Sequence, residues 1–211
     1  MNKKIIHLAF VVSMFAGAFC AWGQAAALPR VLIIGDEIAV AYAAEVKTLL
    51  AGKAEVHCSA NAFSTGYSKT RIKNWIGSEK WDLIYFNWGV HDIKYMKNGK
   101  QNVSPDAYEK NLKQLVGQLK KTGAKLVFAT TTPIPSDYDR DDPRKNEDVK
   151  KYNEIALGVM NANKVAIDDL NAFITPKISY LQREGDYRFL REGYKALGKQ
   201  VAATIENNLK K

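Results

Sequence analysis

Three short stretches gather side chains whose types and spacing could do chemistry. Gly35-Asp36-Glu37 follows the apolar run Val31-Leu32-Ile33-Ile34. Gly89-Val90-His91-Asp92 follows Asp82 to Trp88. Asp186 and Arg188 stand just ahead of Gly193-Tyr194. The residue types restrict what these stretches can do. Glu37 has no hydroxyl to activate, and Arg188 stays protonated at any ordinary pH and cannot act as a general base. Carboxylates could work in pairs, Glu37 with Asp186 or Asp36 with Asp92, as acid and base for glycoside hydrolysis. Acids in glycine turns of this kind are more often structural. Past the first 26 residues the histidines are His57 and His91, with Cys58 as the remaining cysteine. Their wide separation gives no zinc-ligand spacing, so no metal is expected. Gly35-Asp36 lacks the further glycines of a dinucleotide loop, so no nucleotide cofactor is expected either.

The elements that must position these residues read as an alternation of strands and helices. Val31 to Ile34 and Asp82 to Trp88 are apolar on both faces, as fully buried parallel strands are. Ala54 to Cys58, Lys125 to Thr130 and Lys164 to Ile167 supply three more strands. Helical spacing marks residues 38–51, 68–77, 147–162 and about 191–209. Ser104-Pro105-Asp106 starts another helix, with a cap, a first-turn proline and an acid for the dipole, and it runs to Gly123. Asp169 to Gln182 is expected to be helical, with Pro176 dividing it. This order predicts an α/β, flavodoxin-like three-layer α/β/α sandwich with a five-stranded parallel sheet. Its polar pocket belongs at the carboxyl ends of the strands.

The chain has 211 residues, which favours one folded domain. Asn2-Lys3-Lys4, an apolar stretch from Ile5 to Cys20 and small residues through Gly23-Gln24-Ala25-Ala26-Ala27 have the layout of a secretory signal. The expected organisation is a signal peptide over residues 1–25 and one domain over 26–211. Cleavage is expected between Gly23 and Ala27, with export to the periplasm or medium. Phe19 before Cys20 is too bulky for a usual lipobox, which argues against a lipid anchor. Removing Lys3 and Lys4 lowers the formal charge from +9 to +7. Removing Cys20 leaves Cys58 without an internal disulfide partner. The lysines are spread over helix ends and faces, as solvated helix surfaces are, so no nucleic-acid partner is expected. No stable membrane insertion after cleavage is expected.

In order and spacing, the three stretches resemble the SGNH (GDSL-like) hydrolases, esterases and lipases of flavodoxin-like fold. The likeness covers roughly residues 29–208. Phe86-Asn87-Trp88-Gly89-Val90-His91-Asp92 and Thr131-Thr132-Pro133 look like a bacterial branch tied to O-acylated carbohydrates. The resemblance implies acyl transfer. A serine directly after Gly-Asp attacks the ester, a histidine near the C-terminus takes its proton, and an aspartate orients that histidine. A backbone amide, a glycine and a side chain after the third strand bind the oxyanion.

This chain departs from that pattern at both reactive positions. The nucleophile position holds Glu37 and the base position holds Arg188. Asp186 lies near the acid's place, but Gly185 occupies the usual spacing. Asn61-Ala62-Phe63 stands where the family's second-block glycine falls, and no glycine follows until Gly66. Asp36, Asn61, Gly89, His91 and Asp92 are the oxyanion and binding positions. The resemblance therefore implies a member inactive by the Ser-His-Asp route, with a polar pocket for carbohydrate or a small acylated ligand. The alternative is an active carbohydrate O-acyl esterase with an unorthodox site. Glu37 and Arg188 inherit the closeness of serine and histidine, so a charge-assisted, bidentate pair closer than about 5 Å is expected, with Asp186 as a second acceptor. Trp88 is expected to pack in the core, Tyr95 to be a candidate sugar contact, and the Asp- and Arg-rich loop 136–146 to be solvated.

Overall fold

The computed structural model describes residues 27–210 apart from Ala60 and Asp139. The expected signal peptide, its cleavage window and Cys20 lie outside the described residues. Five strands form one parallel sheet: β1 (Arg30–Ile34), β2 (Glu55–Cys58), β3 (Leu83–Phe86), β4 (Lys125–Ala129) and β5 (Ala166–Asp168). Their order across the sheet is β2-β1-β3-β4-β5. The register sets Ile33 beside Tyr85 and Phe86 beside Phe128, all fully buried. These runs are apolar on both faces because helices cover both.

The covering helices are α1 (Glu37–Leu49), α2 (Thr65–Ile76), α3 (Pro105–Lys120), α4 (Asn146–Ala162) and α7 (Arg191–Leu209). α1 packs on α7, while α2 packs on α3 and α3 on α4. Right-handed crossovers from a sheet of this order place α1 and α7 on one face and α2, α3 and α4 on the other. The segment after β5 divides as its proline requires, into α5 (Leu170–Ile174), a 3₁₀ turn (Thr175–Lys177) holding Pro176, and α6 (Ile178–Leu181).

Most element ends shift by one to three residues from the sequence expectation, and the shift at α2 has an identifiable cause. α2 begins at Thr65 rather than near residue 68. Its start is fixed by Ser64, whose hydroxyl accepts from Tyr67 N, and by Asp92, which takes the Thr65 N–H at 2.9 Å. That second cap comes from another loop, so local periodicity does not reveal it.

Gly35 to Glu37, Asn87 to Asp92 and Thr130 to Pro133 converge at the carboxyl ends of β1, β3 and β4. The return from α6 to α7 lies over them. It is pinned by Leu190 N to Leu181 O at 2.8 Å, Arg183 N to Arg188 O at 2.9 Å and a bridge between Gln182 and Phe189.

Candidate functional site

The site is built outward from the turn after β1. Asp36 caps α1, accepting from Ile38 N at 2.9 Å and Ala39 N at 3.3 Å. Burial and the neighbouring Glu37 charge push its carboxyl up to about 6. Capping holds Glu37 as the first residue of the helix, where the dipole favours a carboxylate. His91 Nε2 lies 2.6 Å from Glu37 Oε2, and Asn61 Nδ2 donates to the same oxygen at 3.3 Å. The Tyr187 hydroxyl donates to Glu37 Oε1 in a short contact. An ionised carboxylate only accepts, so Nε2 of His91 carries the hydrogen. Burial alone would raise the Glu37 carboxyl. The His91 and Tyr187 contacts outweigh it and hold the group down at about 2. Burial, together with the same carboxylate, drives the Tyr187 phenol well above its usual range.

Arg188 reaches this cluster from the far side and lies within the expected distance of about 5 Å from Glu37, as a single ion-pair contact rather than a bidentate one. Its Nη2 lies 3.7 Å from Glu37 Oε1, within ion-pair range and beyond hydrogen-bond reach. The tighter partner is Asp186, 3.2 Å from Arg188 Nη1. Arg140 also approaches Asp186, at 3.4 Å. The physical reason is that Glu37 is already occupied by three donors, while Asp186 is close in sequence and itself buried. Gly185, at the usual spacing of the triad acid, turns with φ of 59° and donates its N–H to Asp137.

The other expected site residues divide. Asn61 joins the cluster. Asp92 does not: its carboxyl is fully buried and accepts from the Thr65 hydroxyl at 2.5 Å as well as from the Thr65 N–H. Burial, opposed by these hydrogen bonds, leaves it raised to about 7. Asp36 faces its own helix, so neither Asp36 nor Asp92 is turned toward the cluster, and their pairing as acid and base has no geometric support. Gly89 is a close-approach residue, since a Cβ there would lie 2.1 Å from Thr131 Oγ1. His57 pairs with Glu55 at 2.6 Å on the edge strand β2. Ser64 caps α2, and Ser68 bonds the Ala62 carbonyl and the indole N–H of fully buried Trp88. Tyr95 donates to Asp148.

Two residues of the cluster's frame escaped the sequence reading. Tyr187 is almost wholly buried, and nothing in its spacing marks it as a partner of Glu37. Arg144 lies in the loop expected to be solvated, yet its side chain is buried. Its Nε donates to Val90 O at 2.7 Å and its Nη1 to the Tyr138 hydroxyl at 2.8 Å, and its guanidinium lies 4.6 Å from the Tyr187 ring centroid. It ties the His91 turn, the 138–144 loop and Tyr187 together. An arginine inside an Asp-rich stretch was the one available hint. On the other side of the turn, Asp36, Tyr42, Asn87, Thr130 and Thr132 line a cavity of about 10 Å³, the room of one water, to which Glu37, His91 and Arg188 do not contribute.

Comparison with known proteins agrees with this architecture. Among solved structures, an acetyl xylan esterase superposes with a TM-score of 0.71 at 17% identity, covering 83% of this chain and 99% of its own. A lipase/acylhydrolase from Enterococcus faecalis gives 0.71 at 19% identity, covering 86% and 97%. An acetylxylan esterase from Geobacillus stearothermophilus gives 0.69 at 17% identity, covering 84% and 94%. At such identities the likeness is one of fold. No curated protein matches the chain by sequence. Residues 33–196 match the profile of the GDSL-like lipase/acylhydrolase family. With most of its length under that profile, the chain belongs to the GDSL-like lipase/acylhydrolase family.

Proposed function

We propose that this is an exported family member that does not cleave esters by the Ser-His-Asp route, and that its polar cluster binds carbohydrate or a small acylated ligand. One observation carries the reading: the nucleophile position is a carboxylate saturated by His91, Tyr187 and Asn61. A carboxylate held near pKa 2 has no proton to give up and is a weak nucleophile. The guanidinium at the base position accepts no proton. The carbohydrate side of the reading draws on the acetylxylan esterases among the structural neighbours, and export on the signal-like layout of the first residues.

The test is hydrolysis of a chromogenic acetate and of acetylated xylan by the purified protein. The expected result is no turnover above a heat-denatured control. Turnover that disappears in Glu37→Gln overturns the reading. For export, the mass of protein recovered from periplasm or medium should correspond to a start between Gly23 and Ala27.

A further inference from the structure

Between the Glu37 cluster and the start of α2, the backbone does something costly. Phe63 has φ of 47°, the left-handed region that non-glycine residues avoid. Such a conformation is strained for a residue with a side chain and persists where the surroundings enforce it. They do so here: Asn61 Oδ1 accepts from Phe63 N at 3.0 Å, Ala62 N donates to Gly35 O at 2.8 Å, and Ala62 is fully buried. The strain is not repaid by burying the ring, because Phe63 is 44% exposed and Tyr67, one helical turn on, is 42% exposed.

The two rings meet edge to face at 5.2 Å, and Phe63 meets the His91 ring at 5.3 Å. Arg71 lies 5.6 Å from the Tyr67 ring centroid. Asn61 couples the platform to the site, since it holds Phe63 by its oxygen and Glu37 by its nitrogen.

We infer that Phe63, with the Tyr67 ring standing nearly perpendicular beside it, forms an aromatic platform on which one pyranose ring of a carbohydrate chain stacks at the mouth of the Glu37 cluster. The inference rests on the carbohydrate-binding reading above and names its subsite. A pyranose ring has an apolar C–H face and a hydroxyl rim. The platform offers aromatic surface beside hydrogen-bonding Glu37, His91 and Arg188, of which Arg188 is 43% exposed at its side chain. The small cavity beside Asp36 has room for one water and none for a sugar, so the sugar is placed on the exposed rings. An acyl chain calls for a closed apolar groove rather than two open rings. A stable protein partner needs roughly 800 Å² on each side, far more than two side chains present.

The experiment is calorimetric titration of the purified protein with xylohexaose, cellohexaose, mannohexaose and chitohexaose, compared across variants. Phe63→Gly removes the ring and at the same time relieves the backbone, so lost binding there does not report unfolding. At least one oligosaccharide should saturate the wild type. Phe63→Gly and Tyr67→Ala should each weaken it about tenfold, and Phe63→Trp should retain it. The platform is overturned if binding survives both ring deletions but is lost in Glu37→Gln, an outcome that leaves the wider binding reading standing. It is also overturned if no oligosaccharide binds, or if an oligothymidylate binds with the same dependence on Phe63. The ester assay judges the non-catalytic reading separately.

Discussion

At the scale of single residues, Glu37 decides the chemistry, and its partners decide its state. Tyr187 donates one of the hydrogen bonds that keep Glu37 ionised inside a half-closed site. Tyr187→Phe removes that donor without changing shape. It should destabilise the protein by about 1.5–3 kcal/mol at neutral pH, as loss of a hydrogen bond to a charged group does. Urea denaturation measures this, and the difference should shrink at pH 2, where Glu37 is half protonated. The sequence made Glu37, His91, Arg188 and Asp186 legible through their places after strand ends and before Gly193-Tyr194. It did not reveal Tyr187 or Arg144. Tyr187 lies 150 residues from Glu37, and only the assembled fold brings them together. For the same reason the expected Glu37–Arg188 pair was only half right, because the type of a residue does not say how many competitors surround its partner.

At the scale of elements, the strands were readable because buried parallel strands are continuously apolar, and β1 and β3 are so without interruption. What escaped was the start of α2, capped by a carboxylate 27 residues downstream. The motif glycines have a packing reason that types alone leave open. Gly193, in the first turn of α7, lies where a Cβ would come 2.5 Å from the Leu181 carbonyl oxygen and 2.9 Å from Phe189 Cβ. Neither neighbour is the free end of a flexible side chain. Gly193→Ala should therefore push α7 off the return that carries Asp186, Tyr187 and Arg188. The expected cost is about 1–3 kcal/mol, read by thermal or urea denaturation. The ordered 181–190 return should become more susceptible to protease in the same variant.

At the scale of the whole molecule, the buried acids set how stability depends on pH. Asp92 is raised from 3.8 to about 7 and Asp36 from 3.8 to about 6. The folded state then holds protons that the unfolded state has released, so these groups make stability fall as pH rises from about 4 toward 7. Glu37 works in the opposite sense. Depressed from 4.5 to about 2, it contributes stability above 4.5 that is lost as pH falls toward 2. Together they place the stability maximum near pH 4, with stability declining from there toward pH 7. Asp92→Asn keeps an oxygen for Thr65 and should flatten the decline between pH 4 and 7. An unchanged slope in that variant would show that Asp92 does not titrate there.

We propose that the site of this fold here surrounds a carboxylate, Glu37, with no activated hydroxyl beside it. Intact-protein mass after incubation with an alkyl fluorophosphonate, which labels activated hydroxyls, tests that claim most directly. The unmodified mass should persist through exposures that fully label a Glu37→Ser, Arg188→His double variant. Stoichiometric labelling of the native chain, mapped to any serine or to Tyr187, would contradict it.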